Sequence, residues 1–191
     1  MRIGWDSDGV LYRFTKAYHL WENSKYGLGL DPEEEAQTWD WFLGWGRTVE
    51  DFKENMHEAV DAGQLFWQGE LYEPQIAQNM SDLRAAGHTN HLVTYRFSGR
   101  TSCSQAATEH FYESQGIEFD SIIYSKDKSV TKTDVFIEDN VANYDALEAS
   151  GVTSYLINRP YNLLDDARRR VKSVDEFTKL ILEGKWSSLG S

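Results

Sequence analysis

The first quarter of the chain begins as a strand and continues as a helix. Residues 2–6 form a short apolar run that predicts a first, central strand. From Phe14 to Tyr26 the spacing of apolar residues predicts a helix. Residues 27–47 show no such period, and their segments DPEEE and TWDWFLGWG predict an irregular stretch with an aromatic cluster.

Two further helices are predicted between residues 48 and 87. Thr48 is a suitable N-cap, with Asp51 at the capping-box position, and Gly63 ends the first of these helices. Pro74 suits the first turn of the second helix, which Gly87 closes. Their apolar stripes are Val49, Phe52, Met56 and Val60 in the first helix, and Ile76, Met80 and Leu83 in the second.

Strands and helices then alternate to the C-terminus. The predicted strands are residues 91–95, 121–124, 134–139 and 153–157, and the predicted helices are residues 101–115, 141–149 and 173–183. This alternation is typical of an α/β fold with a parallel sheet and right-handed crossovers. We therefore expect residues 1–14 and 74–191 to form a core domain. Residues 15–73 are expected to be a mostly helical insertion, and residues 185–191 a mobile tail.

The chain is acidic and rich in aromatic residues. It has 191 residues, a formal net charge of −12 and 14% aromatic residues, among them 7 Trp. The length suits one domain with a sizeable insertion. The acidity argues against a nucleic-acid polymer as partner, because such binding depends on neutralising phosphates. One small phosphate can still bind where a cation and a lysine concentrate positive charge in a pocket.

Cysteine usage and hydropathy both favour a cytoplasmic location. Cys103 is the only cysteine, which excludes intramolecular disulfides and fits a reducing compartment. No apolar run reaches the length of a membrane span, so no membrane partner is expected. An acidic pair interrupts the N-terminus at Asp6 and Asp8, so we expect no signal peptide.

That acidic pair is the strongest candidate for chemistry. Asp6 and Asp8 lie two residues apart at the end of a strand, and residues two apart in a strand point the same way. Their repulsion is relieved by a proton or by a divalent cation. Gly9 permits a sharp turn and a close approach by a ligand. A calcium loop would need a Glu at its twelfth position, where Ala17 stands, whereas a plain surface turn remains an alternative.

Polar residues follow four of the predicted strands. In parallel sheets the carboxyl ends of the strands meet at one edge, which is where ligands bind. Carboxylates for Mg²⁺, a nucleophile, and Lys and Thr donors for phosphoryl oxygens would together suit metal-assisted phosphoryl transfer. The residues concerned are Asp6 and Asp8; Thr94, Tyr95 and Arg96; Lys126 and Lys128; and Glu138, Asp139 and Asn140.

The order of these motifs resembles the haloacid-dehalogenase (HAD) superfamily of phosphatases. The resemblance is carried by DSDGV, the Thr of LVTYR, the Lys of KDKS and the acidic pair of DVFIEDN, and it covers roughly residues 1–15 and 90–157. It implies a Rossmannoid three-layer fold with a central parallel sheet and a small helical cap inserted after the first strand. Within the superfamily, SKDKSVTKTDVFIEDN is similar to a segment of the 5′(3′)-deoxyribonucleotidases, and Phe14 falls where they have a base-contacting Phe.

The resemblance implies roles for the strand-end carboxylates. Asp6 would be the nucleophile that forms an aspartyl-phosphate. Asp8 would protonate the leaving nucleoside oxygen and then activate the hydrolytic water. Mg²⁺ would be held by the Asp6 side chain, the Asp8 main-chain carbonyl and Asp139. Glu138 stands where many relatives have Asp, and it would orient waters or the lysine.

The same resemblance implies which residues bind the phosphate. Thr94 and Lys128 would hold the phosphoryl oxygens, and Tyr95 and Arg96 would touch phosphate or sugar. Relatives often have a small residue at the position of Tyr95, so these contacts are expected to differ here. Lys126 is interpreted as a solvated surface lysine.

The insertion would cover the site as a cap. Its aromatic residues are Trp39, Trp41, Phe42, Trp45, Phe66 and Trp67, which is more than a small helical layer uses as its own core. Aromatic side chains stack on nucleobases. The residues predicted to contact the substrate are Phe14, Trp41, Phe42, Phe66 and Trp67. The alternative is that they form the core of the cap and its contact with the sheet domain.

The sequence therefore predicts a Mg²⁺-dependent phosphomonoesterase that acts on (deoxy)ribonucleoside monophosphates. An alternative keeps the chemistry and changes the substrate to another small phosphorylated metabolite or a nucleic-acid end phosphate. A non-catalytic binding module and a dehalogenase are disfavoured, because both Asp6 and Asp8 are present. Exposed cap aromatics could also serve a homodimer. Base, sugar and phosphate position stay open.

Overall fold

A six-stranded parallel sheet forms the centre of the computed structural model, which describes residues 1–100, 103–164 and 167–187. The strand order is β3-β2-β1-β4-β5-β6, so the first strand lies in the middle, between β2 and β4. The strands are β1 (Arg2–Trp5), β2 (Thr89–Thr94), β3 (Ser121–Tyr124), β4 (Val135–Glu138), β5 (Thr153–Ile157) and β6 (Arg170–Val171).

Helices cover both faces of the sheet, which gives the layered α/β architecture expected from the sequence. The helices are α1 (Phe14–Tyr26), α2 (Val49–Asp61), α3 (Ile76–Ala85), α4 (Ser104–Ser114), α5 (Val141–Ala149) and α6 (Val174–Leu182). The larger buried cluster packs one face of the sheet, for example Trp5, against α3, α4 and α6. A smaller cluster around Phe136 and Leu147 packs the other face against α5. Gly4 makes room there, because a Cβ at this position would lie 2.1 Å from the Phe136 ring.

The insertion after β1 has an aromatic core of its own. It contains α1, a 3₁₀ helix at Trp41–Trp45, and α2. The rings of Phe42 and Phe52 stack with centroids 4.2 Å apart, and Tyr18 lies 4.9 Å from Phe52. The Thr48 cap and its reciprocal bonds with Asp51 start α2, as the sequence predicts.

Two connecting segments join the insertion to the sheet, and they are hydrogen-bonded to each other. The Tyr72 N–H donates to the Leu11 carbonyl at 2.9 Å, and the Arg13 N–H donates to the Glu70 carbonyl at 2.9 Å. The two segments therefore run side by side as a short antiparallel ribbon. We refer to residues 11–13 and 70–72 as the connecting ribbon.

The predicted elements are present, with small differences in their ends. β2 begins at Thr89, because it pairs with β1 from Arg2 onward despite its polar start. α3 begins at Ile76, two residues after Pro74. The two-residue strand β6 was not predicted, since two residues carry no periodic signal. The first residues of the predicted helix 101–115, and residues 188–191 of the predicted tail, lie outside the described residues. The partition at residues 14 and 74 stays a prediction.

None of the helices in the described part of the chain is long and apolar enough to span a membrane.

Candidate active site

The turn after β1 is built around a glycine that nothing larger could replace. The Ser7 carbonyl accepts N–H donors from Val10, Leu11 and Tyr12 at 2.8–3.3 Å, which closes a tight turn. Gly9 has a φ of +79°, in the left-handed region. A Cβ at Gly9 would lie 2.0 Å from Asp139 Oδ2. The turn therefore lets the backbone after Asp8 pass directly against the acidic end of β4.

One cavity of about 720 Å³ collects the ends of β1, β2 and β4 and the segment that follows β3. This convergence follows from the sheet order, because the carboxyl ends of neighbouring parallel strands lie side by side. The insertion supplies the facing wall. The cavity is lined by the predicted polar residues Asp6, Asp8, Thr94, Lys128, Glu138 and Asp139 and by the predicted aromatic residues Phe14, Trp41, Phe42, Phe66 and Tyr95.

Three buried carboxyl groups form the floor of the cavity. Oxygens of Asp6, Glu138 and Asp139 all lie within 4.8 Å of one another. Lys128 donates to Asp6 Oδ1, and at 2.8 Å to the Val93 carbonyl. The ammonium group of Lys128 is thus fixed beside the carboxylate predicted to be the nucleophile.

Burial in this cluster raises the pKa of each carboxyl group. Burial, aided by the charge of Glu138, raises the pKa of Asp6 to about 7, and Lys128 opposes the shift. Burial raises the pKa of Glu138 to about 8, again against the effect of Lys128. The pKa of Asp139 rises to about 6, chiefly through burial and the charge of Asp6. When all three are ionised, the charge of Lys128 does not balance theirs.

The cluster suits a hard divalent cation such as Mg²⁺. Such ions prefer oxygen ligands, and carboxylates are the usual protein source. Glu138 Oε1 accepts the N–H groups of Asp139 and Asn140 at 3.2 and 3.1 Å. Glu138 Oε2 is buried and finds no hydrogen-bond partner among the described residues, although a buried polar atom normally has one. A cation or its bound water would satisfy this oxygen.

We expect Mg²⁺ to stabilise the protein more at pH 8 than at pH 5. Because their pKa values are raised from 3.8 and 4.5 to between about 6 and 8, the folded carboxyl groups hold protons that the unfolded chain has lost. The free energy of unfolding of the metal-free protein therefore falls as pH rises through that window. Mg²⁺ competes with those protons, and its stabilising effect grows as they leave. Thermal unfolding at both pH values, with and without Mg²⁺, measures this.

Glu138→Gln is the control for that experiment. This variant removes one of the raised carboxyl groups, so its metal-free stability should depend less steeply on pH. Equal Mg²⁺ shifts at pH 5 and pH 8 in the wild type would contradict the assignment of these carboxyl groups to a cation.

Asp8 makes a different kind of contact. The Nη2 atom of Arg96 lies 2.5 Å from Asp8 Oδ1, and its Nε lies 3.2 Å from Asp8 Oδ2. The Asp8 side chain is 30% exposed, whereas the Arg96 side chain is fully buried. Asp8 thus reaches the cavity with both oxygens held from behind.

Two residues predicted to contact the substrate lie outside the described cavity lining, and their contacts stay predictions. Arg96 is not among the described residues that line the cavity, because its guanidinium group lies beneath the cavity wall against Asp8. Trp67 is also absent from that lining, and its ring packs against His110 with centroids 5.6 Å apart. The other predicted aromatic residues do line the cavity, and Trp41 and Phe42 also pack within the cap core.

Several lining residues were not predicted. The most informative is Tyr161, whose hydroxyl donates to Asp139 Oδ2 at 2.5 Å and whose ring meets Trp39 of the insertion at 5.7 Å. The sequence could have indicated Tyr161, because it follows β5, and β5 ends at the same edge of the sheet as β4. Lys126, interpreted as a surface lysine, is exposed but also lines the cavity. The remaining unpredicted side chains include Trp39, Phe52, Lys53, His57, Tyr72 and Phe97.

Comparison with solved structures identifies the fold. A haloacid dehalogenase-like hydrolase from Streptococcus pneumoniae matches with a TM-score of 0.63 at 13% identity, covering 95% of this chain and 97% of that one. The L-2-haloacid dehalogenase of Xanthobacter autotrophicus matches with a TM-score of 0.61 at 13% identity, covering 95% and 98%. A D,D-heptose 1.7-bisphosphate phosphatase from B. bronchiseptica, complexed with magnesium and phosphate, matches with a TM-score of 0.53 at 12% identity, covering 96% and 98%.

The fold and the arrangement of strand-end residues define a hydrolase of the haloacid-dehalogenase class. More specifically, residues 1–187 match the family described as "5' nucleotidase, deoxy (Pyrimidine), cytosolic type C protein", and the chain belongs to that family. It is thus a phosphoric monoester hydrolase of the nucleotidase type. Comparison with curated proteins gives no match.

Proposed function

We propose that this chain is a Mg²⁺-dependent phosphatase that releases phosphate from deoxyribonucleoside and ribonucleoside monophosphates through an aspartyl-phosphate on Asp6. The observation that carries the proposal is one cavity whose polar floor faces an aromatic wall. Its floor holds Asp6, Asp8, Lys128 and Asp139, and the facing wall is aromatic. The floor suits a phosphate ester and the wall suits a flat base.

In the first step, a carboxylate oxygen of Asp6 attacks phosphorus. The new bond joins Asp6 to the phosphoryl group, and the bond from phosphorus to the nucleoside oxygen breaks. Asp8 donates a proton to that leaving oxygen, which departs as the nucleoside hydroxyl. Lys128 holds Asp6 in position, and with Thr94 it would donate to the phosphoryl oxygens as their charge grows.

In the second step, a water molecule hydrolyses the acyl phosphate. Asp8, now a carboxylate, takes a proton from water while the water oxygen bonds to phosphorus. The bond between phosphorus and Asp6 breaks, which releases inorganic phosphate and restores both carboxyl groups to their starting forms. Asp8 thus serves first as acid and then as base, and the exposed part of its side chain lets it reach both the leaving oxygen and the water.

The carboxylates of Asp6 and Asp139 and the main-chain carbonyl of Asp8 would hold Mg²⁺. Bound Mg²⁺ would supply the positive charge that keeps Asp6 ionised and offsets charge on the transferred phosphoryl group. Tyr161 fixes one oxygen of Asp139, so the other oxygen is left for the cation. Glu138 would orient waters or Lys128.

The family and the charge support the choice of substrate and location. The family description names a deoxy nucleotidase of cytosolic type, which supports a mononucleotide substrate and a cytoplasmic location for this chain. A net charge of −12 argues against a polymeric nucleic acid as the substrate.

Phosphate release from a panel of substrates tests the proposal. The panel contains deoxy- and ribonucleoside 5′- and 3′-monophosphates, an aryl phosphate and a sugar phosphate, each with Mg²⁺ and with excess chelator. We expect turnover of nucleotides above the sugar phosphate, and its loss with chelator. Turnover that survives chelation would refute the metal scheme. Turnover of the sugar phosphate alone would move the substrate to another class of metabolite.

The aromatic wall can be tested with two tryptophans that differ in placement. Trp41→Ala should raise KM for a nucleotide by roughly 10-fold or more, since a stacked base contributes about 1–3 kcal/mol. Its KM for a small aryl phosphate should change less. Trp67→Ala is the matched control, because Trp67 packs against His110 outside the cavity lining. Equal KM effects of Trp41→Ala on both substrates would assign Trp41 to the cap core alone.

A further inference from the structure

Arg96 is a buried charged residue that pairs with Asp8. It is 1% exposed and lies outside the cavity lining. A buried arginine without a ligand needs another reason to be there, since burying an unpaired charge is costly. Its contacts supply that reason.

Each nitrogen of the guanidinium group makes a hydrogen bond, and the group also packs against two aromatic rings. Nε and Nη2 bond to the two oxygens of Asp8. Nη1 donates to Thr108 Oγ1 at 2.9 Å, and the Thr108 hydroxyl in turn donates to the Ser104 carbonyl at 2.7 Å in α4. The guanidinium carbon lies 4.8 Å from the Tyr12 ring and 4.0 Å from the Phe66 ring.

This arrangement fixes the plane of the Asp8 carboxyl group. A guanidinium fork matches a carboxylate at two points, so it sets orientation as well as distance. The fork itself is anchored to α4 through Thr108 and packs against the rings of Tyr12 and Phe66. The carboxyl group of Asp8 is therefore prepositioned relative to Asp6 before any substrate enters.

Phe66 lines the cavity and packs against the guanidinium group of Arg96. The guanidinium carbon of Arg96 lies 4.0 Å from the centre of the Phe66 ring, which also stacks near Phe14 with centroids 6.1 Å apart and planes at 27°. The backbone of Phe66 has a φ of +66°, which residues other than glycine rarely adopt. Its N–H donates to the Tyr12 hydroxyl at 3.2 Å. By keeping water from the guanidinium group, the ring strengthens its pairing with Asp8.

We propose that Arg96 is a positioning residue that holds Asp8 in the orientation needed for proton transfer to the leaving group and from water. This inference rests on the proposed function for the role of Asp8. A positioning role and a purely stabilising ion pair differ in one expected result. If Arg96 positions Asp8, its loss should lower the rate most for substrates whose leaving oxygen needs a proton.

Leaving-group dependence provides the test. An aryl phosphate leaves as a stabilised phenolate without protonation, whereas a nucleoside or simple alkyl oxygen needs the proton from Asp8. In Arg96→Met, the single-turnover rate with a nucleotide or alkyl phosphate should fall about 100-fold. The burst of phenolate from the aryl phosphate should fall by less than about 5-fold. Arg96→Lys keeps the charge without the fork, and it should show the same split to a smaller degree.

A double-mutant comparison separates positioning from stability. Asp8→Asn should show the same leaving-group split, and adding Arg96→Met to it should cause little further loss in either rate. Thr108→Val preserves shape and removes only the anchor, which provides a second test if Arg96→Met does not fold. Equal losses of both substrates in the Arg96 and Thr108 variants, or losses that add to those of Asp8→Asn, would overturn the proposal.

The proposed function and this inference can fail separately. If the wild type turns over the alkyl and aryl phosphates but no nucleotide, the nucleotide proposal fails, and the alkyl-to-aryl comparison still tests Arg96. If nucleotides are turned over and the Arg96 variants show no leaving-group split, the inference alone fails.

Discussion

Asp6→Asn should lower phosphate release by about 10⁴-fold or more, the scale seen when a covalent nucleophile is removed. The amide keeps the shape of the side chain but cannot form the acyl phosphate. Folding should be intact, because the variant removes a buried carboxyl group whose pKa is raised to about 7 and whose ionisation disfavours the folded state. Steady-state phosphate release, with thermal unfolding at pH 8 beside it, measures both effects.

The matched control is Asp82→Asn, an equal change on an exposed position of α3. It should leave turnover and stability unchanged. If Asp6→Asn retained more than a few per cent of the wild-type rate in a preparation free of deamidated protein, another residue would have to be the nucleophile.

Lys128→Met should reduce both activity and stability. Lys128 is buried, donates to Asp6, and brings a positive charge into the carboxyl cluster. Loss of its contact to the phosphoryl group should lower kcat by about 10²- to 10³-fold, as for other removed donors to a charged transition state. Removing one partner of a buried ion pair can cost about 3–5 kcal/mol.

The stability loss in Lys128→Met should shrink at low pH. Without the lysine charge, the carboxyl groups take up protons more readily, and protonation removes their repulsion. Lys126→Met provides the control, since Lys126 lies two residues earlier, lines the same cavity and is exposed. Its substitution should cost little stability. A Lys128→Met protein as stable as the wild type at pH 8 would show that the cluster is not held by this charge.

Residues at strand ends were predictable because the backbone alone places them. Asp6, Thr94 and Glu138 lie at or directly beyond the ends of three adjacent strands, so a correct sheet order brings them together whatever the side chains do. Lys128 follows from the same rule, one short segment after β3. The capping box at Thr48 was predictable for a similar reason, since its hydrogen bonds are local.

Residues whose role depends on which way a side chain turns were not predictable. Arg96 follows Thr94 by two residues, and its positive charge is of the kind that binds phosphate. Its side chain nevertheless turns beneath the cavity and pairs with Asp8. Trp67 and Phe66 are neighbours, and only the ring of Phe66 reaches the cavity. Tyr161 lies far along the chain from Asp139 and is brought to it by the loop after β5. The pattern of hydrophobic and polar residues does not determine these side-chain directions.

The connecting ribbon has a mechanical consequence. Two separate linkers could let the insertion swivel in any direction, but two strands bonded to each other, through Leu11 with Tyr72 and Arg13 with Glu70, act as one strip. A strip bends across its flat face and resists stretching and shear in its plane. Any motion of the insertion against the sheet is thereby restricted to bending of the ribbon across its flat face, which keeps the aromatic wall in register over Asp6.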